Sequence, residues 1–333
     1  MTTSPKLSVI MPVKNAEATV EKAISSILNC SFGDFEFIIV DDASTDESVD
    51  RIRSFNDSRI HFQHSATPGL CHTLNQAVAA CSAPFIARMD ADDICYPDRF
   101  KNQLSAIDEH NWDVVGGRVS IVDRQGKTVS SFQRYERWIN NNQTDQSIRA
   151  FRFVESPLAN PTTLAKRVVY TQPFVDGPLP EDYDFWLQAM RKDFRFGKID
   201  EVVLDWIDDP SRTTRNDPRY SPEAFDRCRR KHLLLGPLIE APEVDIWGAG
   251  QTGKPWVRWI QSENKQVRHL IDVSPKKIGQ TIHGAKVIAP NHLPAPDNTP
   301  LIVAVGAEKA REQIESFLRS KHYEIGKQVW FVA

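Results

Sequence analysis

The sequence is poor in cysteine, in long apolar runs and in excess charge of either sign. Its 333 residues include five cysteines and carry a formal net charge of -3 at pH 7. An odd number of cysteines without a C-x-x-C pair argues against a disulfide framework and against a zinc cluster. Without a basic excess the chain has no field that would attract nucleic acid. The composition therefore favours an ordinary globular protein of a reducing compartment.

Long apolar segments are also missing. No apolar run approaches the ~18 to 20 residues that a membrane span needs, and the N-terminal residues lack the charged and apolar regions of a secretion signal. We therefore expect a cytoplasmic protein with, at most, peripheral contact with the inner face of a membrane. With 333 residues, 41% of them hydrophobic, the chain is long enough for about two domains of roughly 150 residues each.

The first half of the sequence alternates short apolar strands with amphipathic helices. The predicted strands cover Leu7–Val13, Phe35–Val40, Ile60–Gln63, Phe85–Ala87 and Val114–Val122. The predicted helices cover Ala16–Leu28, Leu70–Ala80, Arg99–Glu109 and a segment that begins at Glu181. This alternation predicts a parallel sheet with helices on both faces, in which ligands bind beyond the carboxyl ends of the strands.

Two later segments carry weaker patterns. We expect Thr128–Phe132 to return as a strand in a hairpin-like pair with the strand before it, and Gln143–Phe153 to be helical. Both expectations rest on local pattern alone.

Acidic residues gather at the predicted strand ends. Asp90, Asp92 and Asp93 follow directly after the strand that begins at Phe85, and Asp42 follows the second strand, Phe35–Val40, in the same way. Buried carboxylates without partners cost several kcal/mol or more, whereas a hard divalent cation would neutralise them. The pattern predicts a metal site at this edge of the sheet, with a solvated polar turn as the alternative.

Four segments, in the same order as in a known family, give this pattern a context. They are Ser8–Asn15 (SVIMPVKN), Ile39–Asp46 (IVDDASTD), Met89–Asp93 (MDADD) and Glu181–Leu187 (EDYDFWL). Together they resemble glycosyltransferase family 2, the inverting nucleotide-sugar transferases of GT-A fold, across roughly residues 6 to 215. The resemblance implies an α/β fold with a Rossmann-like GT-A domain.

The resemblance also implies a role for each matching residue. Asp90 and Asp92 match the D-x-D motif, whose acids hold Mg²⁺ or Mn²⁺ and contact the sugar nucleotide, and Asp182 matches the general base. Asp42 matches the acid that accepts a hydrogen bond from the nucleotide base. The residues expected to contact the sugar nucleotide are Pro12, Val13, Asn15, Asp42, Arg88, Asp90 and Glu181. For Arg88, an exposed surface arginine is the alternative.

The chain departs from the family pattern at two places. Leu74 stands before Asn75 where members often carry an Arg-Asn pair, which leaves diphosphate contact there open. Many members also place a histidine metal ligand after the last core strand. Here Asp208 is the substitute candidate, and a capped solvated turn is the alternative. The acceptor site is expected to involve Asn160–Thr163, Trp186 and Trp206, although such tryptophans are as often core residues.

A second domain follows a boundary rich in proline and glycine. We predict a GT-A domain over residues 1–220, a helical linker over 221–240 and a small Rossmann-like α/β domain over 241–333. The last contains a G-x-G-x-x-G in a strand-turn-helix-strand unit, at Gly248, Gly250 and Gly253, with Asp272 about 20 residues on. This is a candidate dinucleotide site, and the alternative is that the glycines serve only tight packing.

The resemblance implies an inverting, metal-dependent transferase that moves one sugar from a nucleoside diphosphate sugar, expected to be UDP-linked. The implied acceptor is a hydroxyl of a cell-surface glycan or glycolipid precursor. A processive synthase is disfavoured because no Q-x-x-R-W run and no membrane helix are found. The rival classes are a dinucleotide-binding oxidoreductase or sensor, and a catalytically silent sugar-binding scaffold.

Overall fold

A computed structural model describes residues 4–209 and 213–333 as two compact units. The first unit comprises Met1–Asp145 with Pro157–Phe225, and the second comprises Gln146–Ser156 with Asp226–Ala333. This division assigns residues 146–156 to the second unit. The predicted domain limits at residues 220 and 240 stay predictions.

The described part of the first unit contains an eight-stranded mixed sheet. Its strands are β1 Leu7–Val13, β2 Phe35–Asp41, β3 Ile60–His64, β4 Phe85–Arg88, β5 Ile94–Cys95, β6 Val114–Val122, β7 Leu164–Lys166 and β8 Phe196–Ile207. Their order across the sheet is β3-β2-β1-β4-β7-β6-β8-β5. The predicted parallel sheet is confirmed for β3, β2, β1 and β4. Beyond β4 the sheet is mixed, because β7 pairs antiparallel with both β4 and β6 and β5 pairs antiparallel with β8, while β6 and β8 are parallel.

Helices flank this sheet. Those of the first unit are α1 Val20–Leu28, α2 Ser48–Arg53, α3 Leu70–Ala80, α4 Arg99–His110, α5 Gln133–Asn141, α7 Glu181–Arg191 and α8 Thr213–Asn216, whereas α6 Asp145–Phe151 and α9 Pro222–Leu234 lie mostly in the second unit. The apolar face of α1 (Val20, Ala23, Ile24 and Ile27) is buried, as its spacing predicts, although the helix begins four residues later than expected.

The predicted return strand at Thr128–Phe132 is wrong. Only Thr128 bridges to Val122, and the chain then turns into α5. The buried Asn140 side chain of α5 donates to the carbonyl of Val119 at 2.8 Å and accepts from its amide at 2.9 Å. These two bonds satisfy a buried amide and attach α5 to β6, a long-range contact that local pattern does not reveal.

The second unit is a smaller α/β layer. Its strands are β9 Glu243–Trp247, β10 Gln266–Ile271, β11 Thr281–Ile282, β12 Ala285–Ile288, β13 Leu301–Val303 and β14 Val329–Phe331, and its further helices are α10 Gly253–Ser262 and α11 Glu308–Ser320. The order is β11-β12-β10-β9-β13-β14, and all neighbouring pairs except β11–β12 are parallel. The β11–β12 hairpin was not predicted, because His283 takes a positive φ of 48° that turns usually give to Asn or Gly.

None of the helices in residues 4–209 and 213–333 combines the length and the apolar character of a membrane span.

Candidate active site

The end of β2 positions Asp42, which is 4% exposed. Its Oδ1 accepts from the amide of Gly69, at the start of α3, at 2.6 Å, and its Oδ2 accepts from Lys14 Nζ at 3.1 Å. Since Gly69 precedes the first residue of α3, this carboxylate joins the end of a strand to the beginning of a helix. Asp42 is therefore fixed in orientation at the carboxyl edge of the sheet.

The end of β1 lies beside it. Pro12 and Val13 are buried, and the amide of Asp42 donates to the carbonyl of Val13 at 2.7 Å. Asn15 is exposed and takes a positive φ of 48°. Its Oδ1 accepts from the amide of Thr45 at 2.8 Å, so its side chain holds the loop after β2 in place. The structure thus brings the predicted residues of β1 and β2 together.

The loop after β4 contains the acids that the sequence predicts as metal ligands. Among the described residues, Asp90, Asp92 and Asp93 each offer a carboxylate oxygen within 4.8 Å of the others. Asp93, to which sequence reasoning gave no catalytic role, is fully buried and accepts from the amide of Ile207 in β8 at 2.9 Å. Three oxygen donors in this arrangement are a ligand set that a hard divalent cation accepts.

Arg88, the last residue of β4, is 4% exposed, so the alternative of a surface arginine is wrong. Its guanidinium forms an ion pair with Asp90. Burial acts to lower the pKa of Arg88, but the Asp90 carboxylate and, after it, Glu181 and Asp182 raise it above its usual value. Arg88 therefore stays a cation within the combined field of these three acids.

The first turn of α7 supplies two acids with different surroundings. Glu181 is 4% exposed, and the Tyr220 hydroxyl donates to its Oε1 at 2.8 Å and its Oε2 at 2.7 Å. Burial raises the pKa of Glu181, against the effects of the Tyr220 hydrogen bond and of the Arg219 and Arg88 charges. Asp182 is partly exposed, and its Oδ1 accepts from the amide of Tyr183 at 2.7 Å. Sequence reasoning missed Tyr220, because 39 residues separate it from Glu181.

Asp208 lies outside the three-acid group in the described residues. Arg215 Nη2 donates to Asp208 Oδ1 at 2.6 Å and to Oδ2 at 2.8 Å, while the Asp208 amide donates to Val122. The structure therefore pairs this candidate metal ligand with a cation.

Part of the expected acceptor site is wrong. Trp186 is 1% exposed and its Nε1 donates to Asn160 Oδ1 at 3.2 Å, so it is a core residue that cannot stack on a sugar. Thr162 and Thr163 are fully buried as well. Trp206 is only partly buried. Asn75, which follows Leu74 where the family often has an Arg-Asn pair, exchanges hydrogen bonds with the backbone of Phe174 at 2.8 and 2.9 Å. This contact is structural.

In the second unit, the predicted glycines lie where β9 turns into α10. Gly248 has a φ of 124°. The Asp272 Oδ2 accepts from the amide of Ala249 at 3.0 Å, so the structure brings the end of β10 against the glycine-containing turn.

Solved structures with the same fold define the class. The N-terminal 349 residues of S. aureus TarS, in complex with UDP-GlcNAc, match 69% of this chain and 66% of that chain, with 21% identity and a TM-score of 0.53. The mannosyltransferase PcManGT of Pyrobaculum calidifontis, in complex with GDP-Man and Mn²⁺, matches 79% of this chain and 70% of its own, with 17% identity and a TM-score of 0.50. The first unit has the GT-A fold of glycosyltransferases.

Sequence comparison then specifies the family. The model of glycosyl transferase family 2 matches residues 8–167. The UDP-Glc:alpha-D-GlcNAc-diphosphoundecaprenol beta-1,3-glucosyltransferase WfgD of Escherichia coli is 27% identical over 247 residues, which are 72% of this chain and 89% of WfgD. Residues 8–167 are a glycosyl transferase family 2 domain, and the enzyme is a glycosyltransferase.

Proposed function

We propose that this enzyme is an inverting, metal-dependent transferase that moves one sugar from a UDP-linked donor to a hydroxyl of a cell-surface glycan or glycolipid precursor. The observation that carries the proposal is the acid cluster of Asp90, Asp92 and Asp93 after β4, beside the buried cation Arg88. A donor diphosphate is an anion, and anionic groups bind where cations are concentrated. Arg88 provides one, and a divalent ion held by the acids would provide the other.

The acid cluster fits Mg²⁺ or Mn²⁺. All three side chains present carboxylate oxygens, the ligands that both ions prefer, and the cluster contains no sulfur or imidazole donor within the described residues. We assign Asp90 and Asp92 as ligands, and Asp93 as the residue that anchors their loop to β8 through the Ile207 amide. When bound, the ion would neutralise the negative charge that develops on the departing nucleotide.

Asp182 is the proposed general base. It takes the proton of the acceptor hydroxyl while that oxygen attacks the anomeric carbon and the bond from this carbon to the diphosphate breaks. One displacement of this kind inverts the anomeric centre. Asp182 suits the role better than Glu181, because it is partly exposed, whereas Glu181 is buried and both of its carboxylate oxygens accept from Tyr220.

The remaining site residues are proposed to bind the nucleotide. Asp42, fixed by Gly69 and Lys14, would accept from the base, next to Pro12 and Val13. Asn15 would support this wall by holding the loop after β2.

Relatives support the choice of substrates. WfgD is named for UDP-Glc and a diphosphoundecaprenol-linked acceptor, and the TarS structure contains UDP-GlcNAc. A lipid-linked acceptor would bring this enzyme to the inner face of the membrane as a peripheral protein, and otherwise we propose a cytoplasmic location.

Two substitutions test the assignment. Asp92→Ala should abolish Mn²⁺-dependent donor binding, whereas Asp182→Asn should keep donor binding and lose transfer by about 10² to 10⁴-fold. Donor binding is measured by calorimetry, and transfer by nucleotide release with an acceptor extract. Asp98→Asn is the matched control, because Asp98 is an exposed acid of the following loop that accepts from Ser31. Full transfer in both site variants would refute the proposal.

We also propose that Asp208 becomes a further metal ligand once donor and ion are present, which requires release from Arg215. Asp208→Asn should then raise the Mn²⁺ concentration needed for half-maximal activity, while Asp205→Asn, three residues earlier in β8, should not. An unchanged Mn²⁺ requirement in Asp208→Asn would remove Asp208 from the ligand set.

A further inference from the structure

The second unit contains a cavity of about 520 Å³ at the carboxyl ends of its central strands. Trp247 and Ile271, the last residues of β9 and β10, and Ala304, the residue after β13, lie in its wall. A volume of this size falls in the range of small-molecule sites, roughly 300 to 1,000 Å³. The glycosyltransferase chemistry proposed above for the first unit does not use it.

The topology explains why the cavity is there. From β9 the chain moves to β10 on one side, and later crosses to β13 on the other side of β9. The strand order therefore changes direction between β9 and β13. In open α/β sheets, ligands bind at this switch point, outside the carboxyl ends of the strands. The helices α10 and α11 both begin beside it, and residues of both line the cavity.

The structure explains in different ways why glycine stands at each of the three positions of the turn. A Cβ on Gly253 would lie 1.7 Å from the carbonyl oxygen of Gly248, and a Cβ on Gly248 would lie 2.8 Å from the carbonyl oxygen of Ala304. Packing alone requires these two. Gly250 is different, because its φ is not in the left-handed region and the nearest atom to a Cβ there is Lys277 Nζ at 3.9 Å. Packing within the unit gives no reason for a glycine at this position.

A ligand that approaches the backbone does give a reason. Gly250 lines the cavity, and the middle glycine of such turns lets phosphate groups come close to the backbone amides. Lys277 supplies a cation at the same place. It is held by Asp272 Oδ2 at 2.9 Å and remains one-third exposed.

Asp272 itself is already satisfied. Its Oδ1 accepts from the amide of Ser274 at 2.8 Å, and its Oδ2 accepts from the amide of Ala249 as well as from Lys277. An acid whose oxygens accept three hydrogen bonds shapes the turn and orients Lys277. This differs from the dinucleotide pattern, in which the acid after the second strand accepts from a ribose.

Apolar surface makes up the rest of the wall. Ile271, Pro290 and Phe317 line it, and Val273 lies at the cavity although 71% of it is exposed. Such a surface suits a flat ring system. An anion-binding turn beside an apolar wall is the combination that a nucleotide requires.

We propose that this cavity binds a nucleoside diphosphate group, with the phosphates at Gly250 and Lys277 and the base against the apolar wall. The group could belong to a free nucleotide, a sugar nucleotide or a dinucleotide, since these share the recognised chemistry. This second site is independent of the acids of the first unit.

Calorimetry on the full chain tests the proposal. UDP, ADP, UDP-glucose and NAD⁺ are titrated in EDTA, which suppresses metal-dependent binding in the first unit. We expect at least one probe to bind, with affinity reduced at least tenfold in Gly250→Val, because the added side chain blocks the approach of the phosphates. Gly33→Val is the matched control, since a Cβ there meets nothing within 4 Å. Asp92→Ala should keep this binding.

The outcomes separate the possible ligands. Tighter binding of NAD⁺ than of ADP indicates a dinucleotide, tighter binding of UDP-glucose than of UDP a sugar nucleotide, and equal affinities a free nucleotide. If thermal unfolding shows that Gly250→Val is damaged, Lys277→Met replaces it, again with an expected loss of about tenfold. The proposal is overturned if no probe binds in EDTA, or if binding is unchanged in both variants.

Discussion

The carboxyl ends of the parallel strands are built from charge in the first unit and from close backbone contacts in the second. In the first, Asp90, Glu181 and Asp182 surround one buried cation, Arg88. In the second, a single acid, Asp272, accepts from two amides and from a lysine that is one-third exposed. The carboxyl edge of an α/β sheet can thus carry an excess of acids over cations, as in the first unit, or a turn without net charge, as in the second.

This difference indicates different ligand requirements. An excess of acids over cations lowers the energy of a bound divalent ion, and so favours metal-dependent chemistry. In the second unit the hydrogen bonds of Asp272 are already made, and Gly250 leaves the backbone amides open. This turn therefore favours close approach of an anion without a metal. The following predictions test this contrast.

The largest effect is expected from Arg88→Met. Removal of the buried cation leaves Asp90 and Glu181 without their shared partner, which should lower the free energy of unfolding by about 3 kcal/mol and reduce transfer at least 100-fold. Lys277→Met is the counterpart in the second unit. Asp272 keeps its two amide donors, so less than about 1 kcal/mol should be lost. Chemical denaturation measures both, and equal losses would contradict the contrast.

Gly253→Ala in the second unit should destabilise more than Gly116→Ala in the first. Gly253→Ala forces a Cβ against a backbone carbonyl oxygen 1.7 Å away, and a loss of about 3 kcal/mol is expected because backbone cannot move aside cheaply. Gly116→Ala in β6 meets Leu158 Cδ2 at 3.1 Å, the flexible end of a side chain, so about 1 kcal/mol or less should be lost. Thermal unfolding of the two variants decides, and a more damaging Gly116→Ala would refute the argument.

Tyr220→Phe should change the pH dependence of transfer. Burial raises the pKa of Glu181 and the Tyr220 hydrogen bond opposes this, so without the hydroxyl the pKa should rise further. A raised folded-state pKa means that the stabilising contribution of Glu181 is present at low pH and lost as pH rises through that value. The acidic limb of the kcat/KM profile should move to higher pH in the same direction.

The control for Tyr220→Phe lies in the second unit. The Tyr323 hydroxyl donates to the carbonyl of Pro294 at 3.0 Å, so Tyr323→Phe loses a hydrogen bond to an uncharged group. Its pH profile for transfer should match that of the unchanged enzyme. Identical profiles for all three proteins would exclude a role of Tyr220 in setting the ionisation of Glu181.

Much of the first unit could be predicted from local pattern. The bounds of β1 and α3 are as predicted, because a continuous apolar run fills β1 and apolar positions at helical spacing dominate α3. The acids at the ends of β2 and β4 were also visible, since parallel strands bring their carboxyl ends to one edge.

Long-range contacts account for what the sequence did not reveal. The helix α5, which follows the predicted return strand, is attached to the backbone of β6 by Asn140, and Tyr220 reaches Glu181 across 39 residues. Burial decided two further cases: Arg88 is buried rather than exposed, and Trp186 is core rather than a sugar platform. Neither exposure follows from the residue types.

The smallest effect is expected from Lys198→Met. This substitution should reduce the gain in the free energy of unfolding between pH 7 and pH 8 by about 1 kcal/mol. Lys198 is a buried cation of β8 whose Nζ donates to the carbonyls of Ile139 and Pro157 and, unlike Arg88, pairs with no acid in these contacts. Burial, and then the charge of Arg118, lowers its pKa to about 7.

The sign of the Lys198 effect follows from proton binding. Between about 7 and the ordinary value of 10.5 the unfolded chain holds a proton that the folded protein has released, so stability rises with pH in this window and is lost as pH falls through it. Lys198→Met should therefore gain less stability than the unchanged enzyme from pH 7 to pH 8 in denaturant titrations.

Lys265→Met is the control, because Lys265 donates to the carbonyl of Ala241 while partly exposed. The buried thiols Cys71 and Cys81, whose pKa values are raised to about 12 by burial, have the opposite sign, and the comparison therefore ends at pH 8. Parallel pH dependence in Lys198→Met and the unchanged enzyme would mean that Lys198 stays charged in the folded state, and that a buried cation in this unit needs no acid beside it.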